Sequence, residues 1–288
     1  MTGAFLGAGA GSGGAGAVAP VMPPLQIVAL PADGRSNPVR AGPVRPGATA
    51  CRAAKGDPLP WHPEQLAGGN PAPGRGRVRK ITDWEVRTQA DPDGSRWYVE
   101  RFRAMAAQGK DLAGEARMID AMLARSARVL DAGCGSGRVG GELAARGHTV
   151  VGVDVDPALI EAARTDRPGL DWRVGDLTEL DLPAEGVPQP FDVVVCAGNV
   201  LPYAAPGTQS AILGRLRAHL AHRGRVVVGF GRGVGRGYSF DQFFVDAADA
   251  GLQPDLVLST WDLLPLAPDS DFLVAVLSAV AGADDASG

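Results

Sequence analysis

Past Ile81 the apolar positions fall into a repeating order of helix-spaced and strand-like runs, whereas before it Gly and Pro interrupt every such run. Ser95 to Gln108 carries a serine cap and helical apolar spacing. Asp111 then heads a segment in which Leu112, Ala116, Ile119 and Leu123 share one face. Two helices are therefore predicted ahead of the first strand. Alternating units follow: strand Val129–Asp131 and helix Gly137–Arg146, strand Thr149–Asp154 and helix Pro157–Arg164, then a short strand at Leu170–Val174. Proline at the first position of the second of these helices suits a helix start. Phe191–Cys196 is an unbroken apolar strand, and Gln209–Leu220 is a helix with Ile212, Leu213, Leu216 and Leu220 on one side. Strand Arg225–Phe230, helix Phe240–Ala250 and two closing strands, Leu256–Trp261 and Phe272–Ser278, complete the series.

Strands that are apolar throughout, separated by helices, predict an α/β fold with a doubly wound, mostly parallel sheet covered on both faces. No helix separates the last two of the seven strands. If they are neighbours they must pair antiparallel, because a parallel crossover needs a longer connection. The predicted division is a Gly/Pro/Ala-rich tail over 1–80, a folded domain over 81–280 and a frayed end over 281–288.

Composition sharpens this division. Residues 1–80 hold fifteen Gly and twelve Pro, which predicts disorder, and they carry a net charge of +6 against −10 for the remainder. Arg75, Arg77, Arg79 and Lys80 cluster at the end of this tail. They read as a solvated segment, or as a contact for an anionic surface. Cys51, Cys134 and Cys196 are few, far apart and outside any C-x-x-C pattern, so neither a disulfide framework nor a zinc site is expected. No Lys or Arg precedes Arg35 and no long apolar run occurs, so no signal peptide or membrane span is expected. The expected location is cytoplasmic, and the oligomeric state is open.

The stretch Val129-Leu130-Asp131-Ala132-Gly133-Cys134-Gly135-Ser136-Gly137-Arg138 joins a strand to a helix through glycine at every second position. Such a turn lets a ligand approach the backbone and the positive helix start. In open parallel sheets ligands lie beyond the carboxyl ends of the strands. The residues to examine there are Asp131 and the glycines 133, 135 and 137, then Asp154, then Gly175-Asp176-Leu177, then Ala197-Gly198-Asn199. Gly135 to Gly140 matches the dinucleotide pattern G-x-G-x-x-G, but the strand ends at Leu130-Asp131, which makes Gly133 the first glycine of the turn. A carboxylate at that strand end suits a ligand with an ammonium group better than a pyrophosphate. Asp154 can accept both hydroxyls of a ribose, Asp156 is the better helix cap, and Asp176 can accept from an exocyclic amino group.

The four segments V-L-D-A-G-C-G-S-G, V-V-G-V-D-V-D-P, V-G-D-L and F-D-V-V-V-C-A-G-N-V resemble, in order and spacing, the motifs of class I S-adenosylmethionine-dependent methyltransferases, over about Ser95 to Ser278. The resemblance implies a Rossmann-like sheet and S-adenosylmethionine as cofactor, leaving as S-adenosylhomocysteine; no His/Asp/Glu cluster has metal-ligand spacing, so no metal is expected. It implies that Gly133, Cys134, Gly135 and Gly137 cradle the methionine part, with Asp131 towards its ammonium group. Asp154 would hold the ribose, Val155 would pack on adenine, Asp176 and Leu177 would hold its edge, and Ala197 would border the site. The segment Trp97 to Arg103 is similar to a helix that closes over the cofactor in small-molecule members, which would bring Tyr98 and Arg103 to its carboxylate. The plain alternative is that Trp97 and Phe102 are core and the arginines are solvated.

The expected reaction is an in-line methyl transfer to a small-molecule acceptor. A tail-docked RNA or protein substrate and a non-catalytic cofactor-binding module are the alternatives. Where amino-group methylases of nucleic acids carry Asn/Asp-Pro-Pro-Tyr/Phe, this chain has Asn199-Val200-Leu201-Pro202, which argues against a nucleic-acid base as acceptor. Asn199 and Tyr203 can orient an acceptor without serving as a base. Arg232 and Arg236, in the glycine-rich loop after the fifth strand, read as a lid with cations for an anionic substrate, or as a loop with no partner.

Overall fold

A computed structural model describes residues 79–280. The tail predicted over 1–80 falls outside the described residues apart from Arg79 and Lys80, as does the end over 281–288. Cys51, Arg75 and Arg77 are therefore not placed.

Seven strands form one sheet: β1 Arg128–Ala132, β2 Thr149–Asp154, β3 Asp171–Val174, β4 Phe191–Ala197, β5 Leu220–Gly231, β6 Leu252–Leu258 and β7 Phe272–Ala279. Their order is β3-β2-β1-β4-β5-β7-β6, and β7 alone runs antiparallel to its neighbours. The chain winds outward from β1 to β3, then crosses back to β4 on the other side of β1. That reversal opens a crevice at the carboxyl ends of β1 and β4.

The apolar character of the central strands follows from cover on both faces. Leu130, Val151, Val194 and Val228 pack with Ile212, Leu213, Leu216 and Phe243, which lie on α7 (Gln209–Ala218) and α8 (Phe240–Asp249). Their chain neighbours Val129, Val150, Val193, Val195 and Val227 point to the opposite face, where Ile119, Val139 and Leu143 meet them. Those three belong to α3 (Gly114–Ala121) and α4 (Arg138–Ala145). Alternate residues thus serve alternate layers. Gly152, in the middle of β2, is needed for packing: a Cβ there would lie 2.2 Å from the indole of Trp172 on the adjacent β3.

Several boundaries differ from expectation. Asp111 does not cap a helix; its carboxylate accepts from Ala113 N and pairs with Arg117, and α3 starts at Gly114. β6 starts at Leu252, not Leu256, and carries Pro254. As the edge strand it has a free side on which the missing N–H goes unneeded. β5 starts five residues early, through an irregular pairing beside Phe191 and Val193. Two helices were not foreseen, α1 (Asp83–Ala90) and the one-turn α6 (Val200–Tyr203). The helix predicted from Ser95 is α2 (Gly94–Ala107), and the one predicted from Pro157 is α5 (Pro157–Asp166).

Candidate functional site

The turn after β1 is held by the strand beside it, because Gly133 N and Cys134 N both donate to Val153 O, at 2.7 and 3.0 Å. Gly133 has φ 80°, and a Cβ there would lie 2.4 Å from the Val200 side chain of α6. Only glycine fits both the left-handed backbone and this approach. Gly137, also left-handed, precedes α4. Cys134 turns the other way and packs with Ile160, Ala163 and Trp172. Burial raises the thiols of Cys134 and Cys196, so neither is an available nucleophile.

Above this turn lies a cleft of about 770 Å³ including its open mouth, bordered by Gly133, Gly135, Asp154, Val155, Asp176 and Leu177 on the sheet side. Asp154 is buried, and its two oxygens accept from different amides: Oδ2 from Gly135 N at 2.8 Å and Oδ1 from Asp156 N at 2.9 Å. A carboxylate has about four acceptor positions, so about one remains on each oxygen. Two hydroxyls held side by side match that arrangement. Burial pushes the Asp154 carboxyl up to about 6, although hydrogen bonds from backbone amides, those of Asp156 and Gly135 foremost, oppose the shift.

Asp176, at the end of β3, is more heavily engaged. Its Oδ1 accepts from Thr178 N and Thr178 Oγ1, each at 2.8 Å, and its Oδ2 accepts from Arg79 Nη1 at 2.8 Å. About one acceptor position is left on Oδ2. Arg79 is therefore no solvated tail residue: it bridges Asp176 to Glu85, two carboxylates that converge on it. Glu85 is held down to about 2 by this guanidinium.

Asp131 lies behind the turn and is absent from the cleft's lining. Its Oδ2 accepts from Gly140 N of α4 at 2.8 Å. Burial pushes its carboxyl up to about 7. It supports the turn from beneath.

The opposite wall comes from the leading helices. Trp84 of α1, together with Thr82 just before it, and Tyr98 of α2 line the cleft. The Tyr98 ring packs against Gly135, and burial pushes its phenol up to about 12. Asp156 joins these helices to the sheet. It caps α5 through Ala158 N and Leu159 N, and its other oxygen accepts from Trp84 Nε1 and Ser95 Oγ. Of the residues predicted around Tyr98, Phe102 is buried while Trp97 is exposed beneath Arg101.

Arg103 is not at the site. It pairs with Asp166 and Glu100 on the surface, at 2.8 and 2.9 Å. The reason is helical geometry: five residues separate it from Tyr98, which turns it about 140° around the axis. A half-buried guanidinium does lie close by, that of Arg138, yet Glu115 and Leu112 O already hold it.

At the exit of β4, Ala197, Gly198, Asn199, Val200 and Tyr203 complete the wall. Asn199 adopts φ 69° and its Oδ1 accepts from Gly231 N at 2.7 Å. This leaves the NH2 end of the amide for a ligand. Tyr203 Oη accepts from Arg87 at 3.1 Å, and its ring lies edge-on to Trp84. Burial raises the Tyr203 phenol, so it is a poor base.

The lid arginines are also redistributed. Arg232 bonds to Ser270 O and stacks on Phe240, so it faces away from the cleft. Arg236 pairs with Asp83 of α1 at 2.8 Å. Neither is free to receive an anion, because each has been taken by a neighbour of the loop. His148 pairs with Asp120, and His219 accepts from Leu182 N; both are structural.

Sequence reasoning missed Thr82, Trp84, Arg79 and Asp83. The run Thr82-Asp83-Trp84-Glu85 has the S/T-x-x-E form of a capping box, and both reciprocal bonds are present, so a signal was there.

Residues 129–224 match the family described as a methyltransferase domain. A TehB-like SAM-dependent methyltransferase from Corynebacterium glutamicum is 43% identical; the match covers 66% of this chain and 100% of that one, with a TM-score of 0.61. Magnesium-protoporphyrin O-methyltransferase of Rhodobacter capsulatus is 34% identical over 151 residues, 49% of this chain and 58% of that protein. Ubiquinone biosynthesis O-methyltransferase of Pseudomonas syringae pv. tomato is 39% identical over 71 residues, 24% of this chain and 30% of its own length. The chain thus spans between about a third and somewhat over half of these two curated relatives. Among the described residues no helix is long and apolar enough to cross a membrane.

Proposed function

Because the chain belongs to the S-adenosylmethionine-dependent methyltransferases, we propose that it transfers the cofactor's methyl group to a small-molecule acceptor held at the exit of β4. The observation that carries this reading is Asp154: a buried carboxylate in the cleft wall, fixed by two amides, with one acceptor position left on each oxygen. The ribose of the cofactor fits that fork. Asp176 offers its remaining position to the adenine amino group, with Leu177 and Val155 beside it. The bare backbone of Gly133 and Gly135 gives the amino-acid part room, and Asp131 supports that backbone through Gly140.

When bound, the cofactor supplies an electrophilic methyl on a sulfonium; its C–S bond breaks as the acceptor's bond to carbon forms, and the electron pair stays on sulfur. This chain contributes position and exclusion of water. Trp84 and Tyr98 cover the cleft, while the Asn199 amide and the Tyr203 hydroxyl orient the acceptor. Neither Asn199 nor Tyr203 is fitted to remove a proton, so this chain supplies position rather than a base for the acceptor. A small acceptor is favoured because Trp84 of α1 and Tyr98 of α2 wall the cleft on the side opposite the sheet. The names of two curated relatives, which refer to magnesium-protoporphyrin and to ubiquinone biosynthesis, point the same way.

The test is turnover. The full chain, incubated with S-adenosylmethionine and fractions of a small-molecule extract, should release S-adenosylhomocysteine and add one methyl mass to a compound in one fraction. Turnover only with RNA or protein fractions would overturn the small-molecule reading.

A further inference from the structure

A second cavity, enclosing about 860 Å³ including its mouth, adjoins the cleft and shares Ala204 with it. α6 forms the partition: Tyr203 faces the cleft and Pro202 the second cavity. The lining joins three separate parts of the chain. Asp83 comes from α1, Gln209 from α7, and Arg236 to Asp246 from the glycine-rich loop and α8. The loop is seated, since a Cβ at Gly235 would lie 2.2 Å from Pro202 O. Resting on the proposed methyl transfer, we infer that an acceptor whose reacting atom lies at the exit of β4 extends past the shared Ala204 into this cavity, which selects a molecule bearing a protonated amine, with Asp83 as the residue that determines the preference.

The charged lining consists of Asp83, Asp246 and Arg236, a net negative charge, and it contains no Lys or His among the described residues. Asp246 is satisfied: Tyr238 Oη donates to one oxygen at 2.7 Å and Gln242 Nε2 to the other at 3.0 Å. Gln209 is likewise engaged with Thr208 N and Leu201 O. Asp83 differs. Its side chain is 8% exposed, and its partner Arg236 is 67% exposed on a loop.

This unequal pair decides the sign of the acceptor's charge. A cationic group entering the cavity replaces Arg236 at Asp83 and releases that arginine into water, where most of it already lies. Little is lost, because an exposed guanidinium gains little from its pair. Among the lining residues an anionic group has only Arg236 to bind, while Lys80 lies at the rim with its Nζ donating to Pro206 O at 3.2 Å. Taking Arg236 would leave Asp83 buried without a counter-ion, which is the costly outcome. The loop arginine is therefore a replaceable stand-in for the acceptor's own cation.

Three compounds with one ring and different charge test this: 2-phenylethylamine, 2-phenylethanol and 3-phenylpropionate. Each is titrated by ligand-observed NMR into the full chain saturated with S-adenosylhomocysteine, whose own binding is measured first by calorimetry. The amine should bind at least about tenfold more tightly than the carboxylate. Asp83→Asn should remove that preference while leaving S-adenosylhomocysteine affinity within about twofold, and Arg236→Ala should strengthen amine binding. Equal binding of the three compounds, no binding of the amine, tighter binding of the carboxylate, or a preference that survives Asp83→Asn would overturn the inference. Failure of S-adenosylhomocysteine to bind the unaltered protein would instead overturn the methyltransferase reading on which it rests.

Discussion

At the scale of single residues, the two buried carboxylates beneath and beside the glycine turn behave as a pair with separate tasks. Asp154 keeps acceptor positions for a ligand, and Asp131 spends its visible bond on Gly140. Both carboxyls are raised by burial from an ordinary value of 3.8, to about 6 and about 7. Between pH about 4 and about 7 the folded chain therefore holds more protons at these sites than the unfolded chain. Its stability must fall as pH rises through that window, at up to about 1.4 kcal/mol per unit per group. Thermal unfolding of the ligand-free protein between pH about 5 and about 8 should show this loss, and Asp131→Asn should flatten it. A stability that rises over that range, or a slope unchanged in the variant, would mean that Asp131 is ionised and paired. Residue types at strand ends were legible in the sequence, which is why Asp154, Asp176 and Leu177 were found. Which way a side chain turns was less so: Tyr98 and Arg103 lie on one helix, and only Tyr98 faces the cleft.

At the scale of elements, the site depends on whether α1 and α2 stay docked over the sheet, and Asp156 is the residue that docks them. Its removal leaves the indole N–H of Trp84 and the hydroxyl of Ser95 without their acceptor and uncaps α5. Loss of a cap alone costs about 1 kcal/mol. Asp156→Ala should therefore speed hydrogen exchange through residues 83–107 and weaken S-adenosylhomocysteine binding by about tenfold. Arg103→Ala, which breaks only surface pairs, should leave both within about twofold. If Asp156→Ala changes neither, the helices are held by other contacts and do not close the site. Strand and helix positions from residue 128 onward were readable from apolar period, because each element buries a regular face. α1 was not, since none of its apolar side chains is fully buried and its inward positions are mostly polar (Asp83, Glu85, Arg87 and Thr88 beside Trp84), and its capping box went unread. α6, one turn long, has no period to read. The span of β6 was misjudged because Pro254 hides an edge strand.

At the scale of the whole molecule, the winding of the sheet puts the cleft, the second cavity and the two leading helices at one edge. The parallel order with a final antiparallel strand was legible, because apolar strands alternating with helices leave few other arrangements, and the missing last helix marks the reversal. The closing of that edge by α1 was not legible, because it depends on contacts between distant residues: Arg79 with Asp176, and Trp84 with Asp156. The central claim is that this edge holds S-adenosylmethionine through Asp154. Calorimetric titration of S-adenosylmethionine and of NAD into the full chain and into Asp154→Ala tests it most directly. The account predicts one molecule of S-adenosylmethionine per chain, an affinity at least about tenfold lower in the variant, equivalent to about 1.4 kcal/mol, and no binding of NAD. Tight binding of NAD, or S-adenosylmethionine binding unaffected by Asp154→Ala, would contradict it.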